Sequence, residues 1–115
     1  MAPVIEVRTC RTIAGEREAL IEALTSRALP AHRDIGIKTL GPFLSQDDAI
    51  TFVWLRAFPN AESRERMKEA FYGGDLWLNE LEPAVMPLIA HYESVLVEDT
   101  MGLWETRPDQ SYDER

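Results

Sequence analysis

A-I-T-F-V-W-L-R-A-F, residues 49–58, is a run of β-branched and aromatic types that suits a pleated, half-buried strand. Strand side chains alternate, so Ala49, Thr51, Val53, Leu55 and Ala57 share one face while Ile50, Phe52, Trp54, Arg56 and Phe58 share the other. The first face is small and aliphatic and suits the seating of helices. The second is aromatic, with a guanidinium set among the rings. Burying an unpartnered arginine is costly. Arg56 is therefore expected to meet a carboxylate, a ligand anion or water in a cavity.

Working outward, Val4 to Thr12 also alternates, with Ile5, Val7 and Thr9 on one side and Val4, Glu6, Arg8 and Cys10 on the other. Ala14-Gly15 breaks it. E-R-E-A-L-I-E-A-L-T-S-R follows, with Leu20, Ile21, Leu24 and Ala28 at helical spacing, and Pro30 is expected to end or bend that helix. Ile35 to Phe43 reads as a glycine-interrupted strand, joined to the third strand by the turn S-Q-D-D at 45–48. Asn60 suits the cap of a second helix, A-E-S-R-E-R-M-K-E-A-F-Y, with Ser63, Met67, Ala70 and Phe71 inward. Gly73-Gly74 stops it, L-W-L-N-E-L adds a short helical piece, and Ile89 to Glu98 is the last strand.

Strand, helix, strand, strand, helix, strand is the α+β ferredoxin-like plait, β-α-β-β-α-β, with both helices on one face of an antiparallel sheet. Seating the helices on the aliphatic face would leave Glu6, Arg8, Cys10, Phe52, Trp54, Arg56 and Phe58 open. That surface is too aromatic for water. A second copy stacked sheet to sheet would cover it, so the expectation is a homodimer forming a dimeric α+β barrel. The domain is expected over 1–98, with a polar C-terminal tail at 99–115 in which Trp104 and Tyr112 could strap the partner.

The totals narrow the function classes. A chain of 115 residues makes one domain with a modest core, and a net charge of −8 argues against nucleic acid or an anionic membrane as partner. One cysteine excludes an internal disulfide and a cysteine-cluster zinc site, and points to a reducing cytoplasm. The start M-A-P-V-I-E-V-R has no basic and then apolar leader, and V-M-P-L-I-A at 85–90 is too short to span a bilayer. Dinucleotide, Walker, serine-elbow and H-E-x-x-H motifs are all missing.

I-E-V-R-T-C-R-T-I-A-G-E-R at 5–17, L-G-P-F at 40–43, F-V-W-L-R-A-F at 52–58, E-S-R-E-R at 62–66 and A-F-Y with the following Trp77 together resemble the NIPSNAP family. The blocks cover about residues 4 to 97 in the family's order. The resemblance implies the dimeric α+β barrel fold and the face-to-face dimer. One departure is Cys10, where many members resemble E-x-R-x-Y. The superfamily's cofactor-free monooxygenases, isomerases and cyclases and its haem-degrading enzymes are an analogy of fold alone.

Three constellations are candidates for chemistry. Glu6, Arg8 and Arg56 lie on one sheet face beside Phe52, Trp54 and Phe58, a pattern that fits a structural network or a site holding a substrate anion while Glu6 moves protons. His91 shares a strand face with Glu93 and is a second acid–base candidate, with a strand-end histidine as the plain alternative. Tyr72 and Trp77 flank a Gly-Gly turn that either closes over the barrel mouth or packs the underside. His32 near Pro30 lacks the surroundings of a haem ligand, and Cys10 reads as a small buried hydrophobe or as a thiol activated by Arg8. No cofactor and no metal site is expected. The expected ligand is a small apolar or aromatic molecule with an anionic group, with isomerase, cyclase or monooxygenase chemistry. A non-catalytic dimeric interaction or stress-response module is the alternative.

Overall fold

The computed structural model describes residues 3–102. The chain runs β1 (Val4–Thr12), α1 (Arg17–Ala23), a π-helical turn (Leu24–Ala28), α2 (Leu29–Ile35), β2 (Lys38–Leu44), β3 (Thr51–Phe58) and α3 (Ala61–Tyr72). A second π-helical turn (Leu76–Leu81), α4 (Glu82–Val85), a 3-10 turn (Met86–Leu88) and β4 (Ile89–Glu98) complete it. The strands form one sheet in the order β2-β3-β1-β4 with every neighbouring pair antiparallel. This is the α+β ferredoxin-like plait.

Register decides which side chains meet. Glu6 lies opposite Arg56, Arg8 opposite Trp54 and Cys10 opposite Phe52. On the other side of β1, Arg8 faces Ser94 and Cys10 faces Tyr92. Residues directly opposite in an antiparallel pair share a face, so these form one surface. That surface is the one the helices cover. Phe52, Trp54 and Cys10 pack in one core with Leu20, Leu24, Ala28 and Leu29 of the first helical stretch and Phe71, Leu81 and Val85 of the second.

The faces are thus the reverse of the expectation from strand alternation. Arg56 is buried inside the single chain, and the aliphatic side, with Val7, Val53 and Leu55, is the uncovered one. The reason is hydrogen bonding. A buried guanidinium needs several acceptors, and here the helices supply some of them, which β-strand alternation cannot reveal.

Three local boundaries also move. The first helix passes through Pro30 and ends at Gly36, whose φ of 106° is the left-handed conformation that glycine favours at a helix end. Proline crowds the preceding turn and offers no N–H, and the widened π turn at Leu24–Ala28 lies directly before it. Consequently β2 begins at Lys38 and not at Ile35. At β3, the Asp48 carboxylate accepts from Ile50 N–H (2.9 Å) and Thr51 N–H (2.8 Å), which holds Ala49 and Ile50 in a bend ahead of the strand.

In α3 the Asn60 side chain accepts from Ser63 N–H at 2.8 Å, as a cap should. Phe71 is its buried residue, whereas Ala70 is exposed. Among the described residues no helix is long and apolar enough to cross a membrane. Trp104 and Tyr112 lie outside the described residues.

Candidate functional site

At the centre of the covered face, the Glu6 carboxylate is surrounded by guanidinium groups. Its Oε1 accepts from Arg56 Nε (3.3 Å) and Arg64 Nη2 (3.3 Å). Its Oε2 accepts from Arg56 Nη2 (3.2 Å) and Arg8 Nη1 (2.8 Å). Arg56 therefore grips the carboxylate with two parallel N–H groups, the fork geometry that makes such pairs strong. Both side chains are about 1% exposed, so the pair is sealed from water.

The remaining nitrogen of Arg56 organises the helices. Nη1 donates to His32 Nε2 (2.9 Å) and to Tyr72 Oη (3.0 Å). Arginine only donates, so His32 Nε2 must be the acceptor, and the ring proton sits on Nδ1, which donates to the Ala28 carbonyl at 2.8 Å. A chain of bonds thus runs from Ala28 through His32 and Arg56 to the Tyr72 hydroxyl. Tyr72 Oη accepts from Arg56, which leaves its own O–H to donate elsewhere.

Electrostatics hold both titratable members in one state. Burial raises the Glu6 carboxyl, but the charges and hydrogen bonds of Arg56 and Arg8 outweigh it and bring its pKa down to about 2. For His32 burial itself lowers the pKa, and the Arg56 charge adds to that, giving about 3 despite the bond to Ala28. Neither is a proton acceptor near neutrality. Burial pushes the Cys10 thiol up, more than the Arg8 charge pulls it down.

Beside this network lies a cavity of about 70 Å³ between the sheet and the two helical stretches. Room for a water takes roughly 10–15 Å³ on this measure, so several waters or a small ligand fit. Its floor is Cys10, Phe52 and Trp54; Leu24, Phe71, Trp77 and Leu81 are among its walls; Arg8, His32 and Tyr72 form its polar end. Both π-helical turns contribute, through Leu24 and Ala28 and through Trp77 and Leu81. Arg8 stands at the boundary. Its Nη1 is bound to Glu6 and to Ser94 Oγ (2.9 Å), its guanidinium lies 5.6 Å from the Trp54 ring centre and 5.4 Å from that of Tyr92, and its buried Nε has no partner among the described residues.

The residues singled out from sequence divide accordingly. Phe52, Trp54, Tyr72, Trp77 and Arg8 line the cavity. Glu6 and Arg56 lie beneath it, in the network, and Phe58 packs under the guanidinium groups of Arg56 and Arg64 at 5.7 and 5.8 Å. His91 is not brought to them. It is exposed and pairs with Arg11, on the uncovered face together with Glu93. Among the described residues no group of three His, Cys, Asp or Glu side chains is placed to hold a metal ion.

Two residues of the network escaped the sequence reading. The sequence does not single out Arg64 as a site residue, yet it lies two turns before Phe71 on the same side of α3 and reaches Glu6. His32 continues the Leu20, Leu24, Ala28 series at a spacing of four, so the helix periodicity, followed through Pro30, would have put it inside.

No family model and no curated protein matches the sequence. Solved structures do match in fold. A NIPSNAP family protein of unknown function from Agrobacterium tumefaciens is 21% identical over 84% of this chain and 87% of that chain, with a TM-score of 0.74. An uncharacterised NIPSNAP domain protein from Burkholderia xenovorans is 20% identical over 82% and 91%, with a TM-score of 0.71. A protein from Nitrosomonas europaea, described as a candidate antibiotic biosynthesis monooxygenase, is 18% identical over 84% and 89%, with a TM-score of 0.69. At these identities the likeness concerns the fold: the plait is that of the NIPSNAP structures.

Proposed function

We propose that this chain, built on a NIPSNAP-like fold, acts as a homodimer and binds a small apolar or aromatic molecule carrying an anionic group in the cavity between its sheet and its helices. The observation that carries the reading is the cavity itself, an aromatic and aliphatic chamber with Arg8 as its cation, only part of whose hydrogen-bonding capacity is used. Concave, mostly apolar sites with a few convergent polar groups are the usual form of small-molecule sites.

The anion belongs to Arg8 and not to Arg56, because Arg56 spends its donors on Glu6, His32 and Tyr72. Glu6 in turn is too strongly held as a carboxylate to serve as a base. Any turnover at this site works by stabilising charge on a ligand oxygen, as an enolate formed during isomerisation, cyclisation or oxygenation would require. The use of one cysteine, without a disulfide framework, supports a reducing cytoplasm as the chain's compartment.

The test is binding of a panel of small aromatic acids followed by thermal unfolding, with Arg8→Gln beside the parent. Arg8→Gln should keep the fold and lose about tenfold to a hundredfold in affinity, the worth of a charged hydrogen bond. Should no acid raise the parent's melting temperature, the ligand reading is wrong. The second reading, a dimer module without a ligand, is favoured by the mutual saturation of Glu6 and Arg56. It requires an Ala28→Leu variant, which fills the cavity, to behave like the parent in every assay.

A further inference from the structure

We infer that the anionic group is a planar carboxylate, gripped side-on by the free edge of Arg8 and capped by the Tyr72 hydroxyl. This rests on the small-molecule reading above and narrows it to a class, apolar or aromatic carboxylic acids in their ionised form.

The free edge is identifiable from what is already bound. Arg8 commits Nη1 to Glu6 and Ser94, while Nε is buried and has no partner among the described residues. The Nε side of a guanidinium is one of its two fork edges. The molecule itself shows what such an edge takes: Arg56 Nε and Nη2 hold the two oxygens of Glu6 at 3.3 and 3.2 Å. A ligand carboxylate on Arg8 would repeat that arrangement one sheet position away.

The other polar side chains on the cavity wall point to the same class. Tyr72 Oη already accepts from Arg56, so its O–H is available as a donor. His32 Nε2, the ring's acceptor, is taken by Arg56, and Nδ1 is taken by Ala28. The indoles of Trp54 and Trp77 are donors only, and the Cys10 thiol is a weak partner on either count. The polar end is therefore rich in donors and poor in acceptors. A neutral acid, an amide or an alcohol would bring a donor with nothing to receive it, and an unsatisfied buried polar group carries the full cost of its desolvation. A carboxylate brings acceptors alone. Around the cavity end, Arg8, Arg56 and Arg64 outnumber the two carboxylates they pair with, Glu6 and Glu65, so the local charge also calls for an anion.

The experiment uses 4-fluorobenzoate, 4-fluorobenzamide and 4-fluorophenol as probes, read by fluorine NMR on the full chain near neutral pH. The benzoate should bind at least about tenfold more tightly than either neutral probe. Tyr72→Phe should weaken the benzoate about tenfold and leave the amide unchanged. Arg8→Lys keeps the charge and loses the fork, and should also cost about tenfold. Equal binding of benzoate and amide overturns the inference and leaves the ligand reading in place. So does full benzoate affinity in Arg8→Lys. Failure of all three probes to bind the parent chain overturns the ligand reading itself, and the inference with it. The comparison of probes on the parent needs no variant, so a misfolded mutant cannot obscure the result.

Discussion

Arg56 shows how one side chain can organise a core. Four of its N–H groups are placed on three different elements, on Glu6 of β1, His32 of α2 and Tyr72 of α3. Removing one member of a buried, hydrogen-bonded ion pair leaves the other uncompensated and costs about 3–5 kcal/mol. Arg56→Met should therefore lower the unfolding free energy by that amount, read as a fall in the urea midpoint. A loss below about 1 kcal/mol would mean that the pair is not sealed as described. His32 predicts a pH dependence. Its folded pKa of about 3 lies below the ordinary 6.5, so on acidification the unfolded chain takes up the proton first. The stability it contributes is complete above 6.5 and declines as pH falls from there toward 3, by about 1.4 kcal/mol per pH unit. Glu6, lowered from 4.5 to about 2, acts in the same direction but only below its ordinary value. Unfolding curves at pH 6.5 and 4.5 should thus differ less in His32→Gln than in the parent.

Among the elements, the helices are legible by period and cap, and at Pro30, where the sequence allows an end or a bend, the helix continues to Gly36. Asn60→Ala should cost about 1 kcal/mol of stability, because the Ser63 N–H loses its acceptor. In β2 the backbone itself is the constraint. A side chain at Gly41 would place a Cβ 3.1 Å from Trp54 Cα, at a φ of +111°. Gly41→Ala should destabilise the chain and disturb Trp54, which calorimetry and tryptophan fluorescence would show together; an unperturbed emission spectrum would contradict the close approach. The two π-helical turns have a different standing. Their sequences, L-T-S-R-A and L-W-L-N-E-L, carry helical periodicity but nothing that marks a wider turn.

At the scale of the molecule, the uncovered face of the sheet is aliphatic, and β4 exposes Val95 and Val97 there at 56% and 40%. The homodimer proposed above would stack this face on a second copy, with the arginine network inside each protomer. Leu55→Glu should then yield a folded monomer by light scattering, whereas a parent chain that is already monomeric would remove the dimer from the scheme. Strand alternation, helical period and turn residues determined the order of elements and hence the plait, because each is a local property of consecutive residues. The cluster of Glu6, Arg8 and Arg56 on one face followed from the same rule once β1 and β3 were neighbours. Which face the helices cover was decided only in three dimensions. His32 and Tyr72 reach Arg56 from 24 and 16 residues away in the chain, Arg64 reaches Glu6 from 58 residues away, and a buried charge settles where such distant groups can satisfy it.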